Sequence, residues 1–182
     1  KNNYDHLLHI PNFYEFKHNK DVVDNNIVGF AARMETRKCP HFLQGIKSEL
    51  TTDPKDVLWW KRNLNIDTTD WKIYKFNYEF LGKFYNRDWG ISHSAHIFEP
   101  FGYGIFQAID YGKLPILAQD WLTEYDYPFR AQSPEEFKEQ YETICKLSTK
   151  ERQDYLVPLR DYLRKFDNKQ QWVEQLLKLY NE

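Results

Sequence analysis

Two cations and one glycine-punctuated carboxylate segment are the parts of this 182-residue sequence whose chemistry is most readily stated. Arg33 directly follows the apolar run Ile27-Val28-Gly29-Phe30-Ala31-Ala32, and Lys38 stands five residues on, where a helix is expected to begin. Both would lie at the carboxyl edge of a sheet, the place where open parallel sheets take ligands. Read alone, the pair is equally well two solvated surface cations, so it needs a partner. The run Glu99-Pro100-Phe101-Gly102-Tyr103-Gly104-Ile105-Phe106-Gln107-Ala108 supplies one. Its two glycines open a predicted helix and permit close backbone approach, and first-turn amides at the positive end of a helix dipole form an anion site. Glu99 before those amides accepts hydrogen bonds from hydroxyls, and Gln107 on the same segment both donates and accepts. One anion and one polyol fit together there, the simpler reading of Glu99 being a helix cap.

His93-Ser94-Ala95-His96 with Glu99 can be drawn as a metal site, but a zinc site wants firmer spacing and a fourth ligand, so no metal is expected. Either histidine could touch a sugar, with a core or surface role the simpler alternative. Trp59, Trp60 and Trp71 read as core residues in preference to a base-stacking platform.

The elements that must carry these residues alternate. A strand over Ile27 to Ala32 is followed by a helix over Lys38 to Leu50, with Phe42, Leu43, Ile46 and Leu50 at helical spacing. A helix over Val57 to Leu64 and a strand over Trp71 to Phe76 come next, then a short helix from Tyr78 to Arg87. A buried strand from Trp89 to Ser92, a helix from Tyr103 to Tyr111 stopped by Gly112, and a strand from Leu114 to Ala118 complete the alternation. Capping-box signatures at Ser133-Pro134-Glu135-Glu136 and Ser148-Thr149-Lys150-Glu151 open two helices, the second expected to lose a backbone hydrogen bond and kink at Pro158, and a last helix runs from about Lys169 to Tyr180. Short apolar strands alternating with helices imply an α/β fold, a doubly wound parallel sheet covered on both faces.

Composition sets the outer limits. With 41% hydrophobic and 29% charged residues the chain is an ordinary globular domain, and with a net charge of -2 it carries no electrostatic footprint for a nucleic-acid backbone or an anionic membrane. An anionic ligand must be held locally, by a few placed groups. The two cysteines, Cys39 and Cys145, have no paired spacing, so a reducing, cytoplasmic setting is expected. No window is long and apolar enough to span a membrane. The N-terminus Lys1-Asn2-Asn3-Tyr4 has neither Met nor a signal-peptide layout and suggests a piece of a longer chain.

The motifs together resemble the C-terminal, nucleotide-sugar-binding half of retaining glycosyltransferases of the GT-B superfamily, group 1 or family 4 type. Ile10-Pro11-Asn12 is similar to the I-P-N-G-V-D connector entering that half, and Gly29 to Lys38 to the strand ending in G-R-L-x-x-x-K-G. Tyr85 to Ser94 is similar to A-D-V-F-V-x-P-S, and Glu99 to Pro115 to E-G-F-G-x-x-x-x-E-A-x-x-x-G-x-P. The resemblance implies a Rossmann-like sheet and a single donor-binding domain over residues 1–182, with residues 1–25 as connector and about 169–182 as a C-terminal helix; an N-terminal acceptor domain would be absent. It further implies that Arg33 and Lys38 bind the diphosphate of a UDP- or GDP-sugar and stabilise the departing nucleotide, that Glu99 binds hydroxyls of the transferred sugar, and that Phe101, Gly102, Tyr103 and Gly104 complete the sugar and phosphate contacts. Gln107 falls where the family has its ribose-binding glutamate. No cofactor or bound metal is implied. The acceptor would be a glycan, a lipid, a protein or, less naturally, a modified DNA base.

Several positions depart from the family pattern. Ala32 and Cys39 replace the glycines beside Arg33 and Lys38, Phe13 follows Asn12 where the connector has glycine, and the 61 residues from Lys38 to Glu99 are short for the family, which obscures the donor base. Two other readings keep the architecture: a nucleotide-sugar epimerase or phosphorylase, and a non-catalytic nucleotide-sugar-binding module in which the glutamine at 107 marks a decayed site.

Overall fold

Successive residues of the first strand are apolar because they serve two cores. In the computed structural model, which describes residues 13–97 and 102–181, β1 (Val28–Ala31) turns Val28 and Phe30 into the larger hydrophobic cluster, while Ala31 packs on a smaller one built around Phe84, Tyr85 and Trp89. A Cβ at Gly29 would lie 2.2 Å from the Trp89 ring, so only glycine lets that indole lie flat on the strand. Both faces are therefore covered, as parallel sheets require.

The sheet has five strands, all parallel, in the order β3-β2-β1-β4-β5. They are β1, β2 (Ser48–Thr52), β3 (Trp71–Lys75), β4 (Ile91–Ser94) and β5 (Leu114–Leu117). The chain builds outward from β1 to β3 and then crosses back to β4 on the other side of β1. Its topological switch point thus lies between β1 and β4. The α-helices are α1 (Pro54–Leu64), α2 (Tyr78–Tyr85), α3 (Tyr103–Asp110), α4 (Pro134–Lys146), α5 (Thr149–Leu163) and α6 (Lys169–Asn181). The Rossmann-like α/β class expected from the alternation is the class observed.

Two local expectations are corrected. Residues 38–50 do not form a helix: two short 3₁₀ turns, Thr36–Lys38 and Pro40–Leu43, are followed by β2, which takes Leu50 into the sheet. Cys39 at φ 49° and Gly45 at φ 72° are both left-handed, and Pro40 has no amide to donate, so a continuous helix cannot form. The strand expected at Trp89 to Ser92 begins two residues later, at Ile91, because Trp89 turns away to fill the smaller core and donates its indole N–H to the Phe84 carbonyl at 2.9 Å. α5 runs from Thr149 to Leu163 with Pro158 inside it. Of the caps, Ser148 and Glu151 form the full reciprocal box, whereas the Glu136 carboxylate takes the Gln132 amide and leaves Ser133 to cap alone.

The entering segment has no regular structure from residue 13 to 27, yet it is pinned. The buried Asp110 carboxylate, at the end of α3, accepts the backbone amides of Lys17 at 3.2 Å, His18 at 3.0 Å and Asn19 at 2.7 Å, and the Tyr14 hydroxyl at 3.3 Å. The Lys20 amide donates to the Asp110 carbonyl and the Val23 amide to that of Gly112, both at 2.9 Å.

Candidate functional site

The carboxyl edge of the sheet gathers the residues that the sequence singles out. Arg33 lies two residues beyond β1 with its side chain 83% exposed, and its Nη1 is 3.6 Å from Glu35 Oε1. Arg37 Nε donates to the other Glu35 oxygen at 2.7 Å, and that bond holds the Glu35 carboxyl below its usual range. One carboxylate so lies between two guanidinium groups. Lys38 ends the first 3₁₀ turn, half-buried.

That turn is tied to the strand across the switch point. The Ile97 amide donates to the Arg37 carbonyl at 2.7 Å, and His93 Nε2 lies 2.8 Å from the Cys39 carbonyl. Cys39 itself holds the left-handed conformation, at the position where the resembled motif has a glycine. His93 is wholly buried against Phe30, Phe42 and Phe137, and burial pushes its pKa down to about 3. It is a core residue, and so is Trp60 at 3% exposure and Trp71 at 7%. Trp59 is not: it stands 55% exposed on α1, against the expectation of a core role.

On the far side of the switch point, Gly102 caps α3 at φ 76°, ψ 46°. A side chain there would be both strained and within 2.8 Å of Ile105 Cδ1. The first-turn amides that follow, from Tyr103 and Gly104, have no carbonyl one turn back within their own helix. Tyr103 and Gly104 are exposed and Gln107 is half-buried. Glu99 and Phe101 lie outside the described residues. Among the described residues no three His, Cys, Asp or Glu side chains are grouped to hold a metal ion, and no helix is long and apolar enough to cross a membrane.

Three of the cavities around this edge hold residues that the sequence singles out. One of about 250 Å³ sits above the switch point, bounded by Cys39, Ala95, His96, Ile97 and Asp120. A second, of about 330 Å³, is lined by Arg33, Thr52, Asp53, Asp56, Phe76 and Tyr78. Here Thr52 Oγ1 is buried with no hydrogen-bond partner among the described residues, and the rings of Phe76 and Tyr78 meet edge to face with centroids 5.1 Å apart. The third, of about 450 Å³, has Gln107 and Tyr103 on its wall with Phe13, Lys17, Asp110 and Lys169. Arg33 and Gln107 therefore line different cavities. Sequence reasoning missed Thr52, Phe76 and Tyr78; no sequence signal marks them, because exposure and an edge position are known only in the fold.

Neither a family model nor a curated protein matches the chain. Solved structures do. A TarM variant of S. aureus in complex with Fondaparinux, alpha-GlcNAc-glycerol and UDP superposes with a TM-score of 0.72 at 14% identity, over 96% of this chain and 39% of that one. A glycosyltransferase from Rickettsia africae ESF-5 does so at 0.62 and 16% identity, over 85% and 46%, and a second TarM structure at 0.60 and 14% identity, over 96% and 38%. These neighbours are glycosyltransferases, and the chain has the fold of part of them. It spans less than half the length of each.

Proposed function

We propose that this domain is the nucleotide-sugar-binding, C-terminal half of a GT-B glycosyltransferase of retaining type, holding a nucleoside diphosphate sugar at the carboxyl edge of the sheet. The observation that carries the reading is the placement of Arg33 and Lys38 on the loop after β1, across the switch point from the glycine-capped start of α3. Arg33 and Lys38 take the diphosphate. As the glycosyl bond to the leaving oxygen breaks, negative charge grows on that diphosphate, and fixed cations and helix amides stabilise it there more than in the ground state. Glu99 takes hydroxyls of the transferred sugar, with the backbone of Phe101, Gly102, Tyr103 and Gly104 around it, and Gln107 takes the ribose.

The Arg33 cavity gives the base its place in this reading, and Gln107, which lines another cavity, rests its ribose role on the motif resemblance alone. Phe76 and Tyr78 supply ring faces for a base. The acceptor, a glycan, lipid, protein or modified base, belongs to the remainder of the enzyme, and no resident metal or cofactor takes part. Calorimetric titration of the 182-residue chain with UDP, GDP and ADP tests the assignment. One of the three should bind, and Phe76→Ala with Tyr78→Ala should weaken it about ten-fold or more, given about 1–3 kcal/mol for each stacked base. Binding of none, or binding indifferent to Arg33→Ala, ends the reading.

A further inference from the structure

The contacts of the His93 ring resolve its protonation without ambiguity. A backbone carbonyl can only accept, so Nε2 must carry the hydrogen it donates to Cys39, 2.8 Å away. A backbone amide can only donate, so Nδ1, 3.3 Å from the Ala95 nitrogen, must be bare. The imidazole thus spans two chain segments that have no sequence link, the turn after β1 and the loop after β4. A few residues on, the Ile97 amide makes the second such link, to the Arg37 carbonyl at 2.7 Å. Residues 37 and 39 are each tied by their carbonyl to the β4 side, and residue 38 lies between them.

Such ties add to the turn's own hydrogen bonds, from Lys38 N–H to the Glu35 carbonyl at 2.9 Å, Cys39 N–H to the Thr36 carbonyl at 3.0 Å and Phe42 N–H to the Cys39 carbonyl at 3.0 Å, and they reach across to another strand. Cys39 is a side-chain-bearing residue at φ 49°, a conformation that costs about 1–2 kcal/mol away from glycine, and Pro40 offers no amide to stabilise the next turn. The histidine is meanwhile held rigidly, parallel to Phe42 at 6° and with its centroid 4.7 Å from that of Phe137. An apolar residue would fill that pocket as well. What only a side chain with a ring or amide N–H adds is the bond to the Cys39 carbonyl.

We infer that His93 is a positioning residue for the donor diphosphate: its imidazole, buried beneath the switch point, fixes the Cys39 carbonyl and with it the turn that presents Lys38. The inference rests on the reading that Lys38 binds the diphosphate, and it adds a residue that the motif resemblance does not supply.

The test uses the whole 182-residue chain and whichever of UDP, GDP or ADP it binds. His93→Phe keeps the ring volume and removes the donor, and nucleotide affinity should fall about ten-fold. His93→Gln, whose amide can reach the same carbonyl, should recover most of that loss. In a Lys38→Ala background, His93→Phe should cause no additional loss, which a merely structural role would not produce. Parent-like affinity in folded His93→Phe, or full additivity with Lys38→Ala, overturns the inference. Should His93→Phe not fold, ring-nitrogen NMR of the parent decides: His93 must be the Nε2–H tautomer and its Nε2–H signal must shift when nucleotide is added, and the other tautomer or an unmoved signal overturns the inference. If Lys38→Ala and Arg33→Ala themselves leave affinity unchanged, it is the diphosphate reading that has failed, and not the clasp alone.

Discussion

Arg33 and Lys38 differ in their surroundings, and the difference sets what their removal does. Arg33 is exposed, so Arg33→Ala should leave the melting temperature of the free domain unchanged while weakening nucleoside diphosphate binding about ten- to a hundred-fold, the value of one charge-assisted hydrogen bond. Lys38→Ala should weaken the same binding about ten-fold, the loss that His93→Phe is expected to share. Gln107→Glu should preserve or improve binding, since a carboxylate accepts ribose hydroxyls more strongly than an amide; a marked loss would remove Gln107 from the site. His93 bears on stability. Its folded-state pKa of about 3 lies below the ordinary 6.5, so between those values the unfolded chain binds the extra proton and stability falls as pH falls. Going from pH 7 to pH 5 should cost at most about 2 kcal/mol, or roughly 4–8 °C in melting temperature for a domain of this size. His41, lowered by burial, acts in the same direction, so the measurement is the difference in slope between parent and His93→Phe, which should be flatter.

Elements carried by apolar alternation were legible and those carried by buried polar residues were not. β1, β3, β5 and the capped helices follow from periodicity and end signals that survive in any context. β2 reads Ser-Glu-Leu-Thr-Thr, yet all five residues are buried, and its one leucine sits at helical spacing from Ile46 and Leu43. Only the left-handed Gly45 and the β-branched Thr51-Thr52 pair argued otherwise, and local patterns cannot weigh them against a missing sheet neighbour. β4, as Ile-Ser-His-Ser, is legible as a strand but is expected two residues early, at Trp89 to Ser92, which leaves His93 outside it and invites a ligand reading when its role is in the core. Glu49 explains how a carboxylate survives inside β2: Arg87 grips it with Nε at 2.5 Å from one oxygen and Nη2 at 3.0 Å from the other, and despite burial the pair holds its pKa below the usual range. Arg87→Ala should therefore destabilise the domain by about 2 kcal/mol, less than the 3–5 of a fully buried pair because Arg87 keeps partial contact with water, and denaturant melts would measure it. Gly29→Ala should do at least as much harm, since the Trp89 ring occupies the space a methyl would need. Of the site, the cations and the glycine-capped helix start were visible as residue types. The Phe76–Tyr78 wall was not, because an exposed aromatic is recognised only once its neighbours are known.

At the scale of the whole molecule, the chain covers 39% and 46% of two solved structures of like fold, and on the donor-half proposal the 182 residues should bind nucleotide and transfer no sugar. Product analysis with a nucleotide-sugar donor checks this, slow hydrolysis of the donor being the most that half a cleft can support, because proximity to an acceptor is missing. Asp110 has a consequence of another kind. Its carboxylate gathers three consecutive amides from a segment without helix or strand, and the main chain on either side accepts two more. Amides exchange with deuterium only when their hydrogen bonds open, so Lys17 to Lys20 should keep their protons on the timescale of the sheet and not of a loop. Asp110→Asn leaves one oxygen to do the work of two. In that variant the segment should label within the time of an ordinary coil while α3, whose own ladder is untouched, stays protected, and the path by which the polypeptide enters this domain would change from a fixed strut to a slack tether.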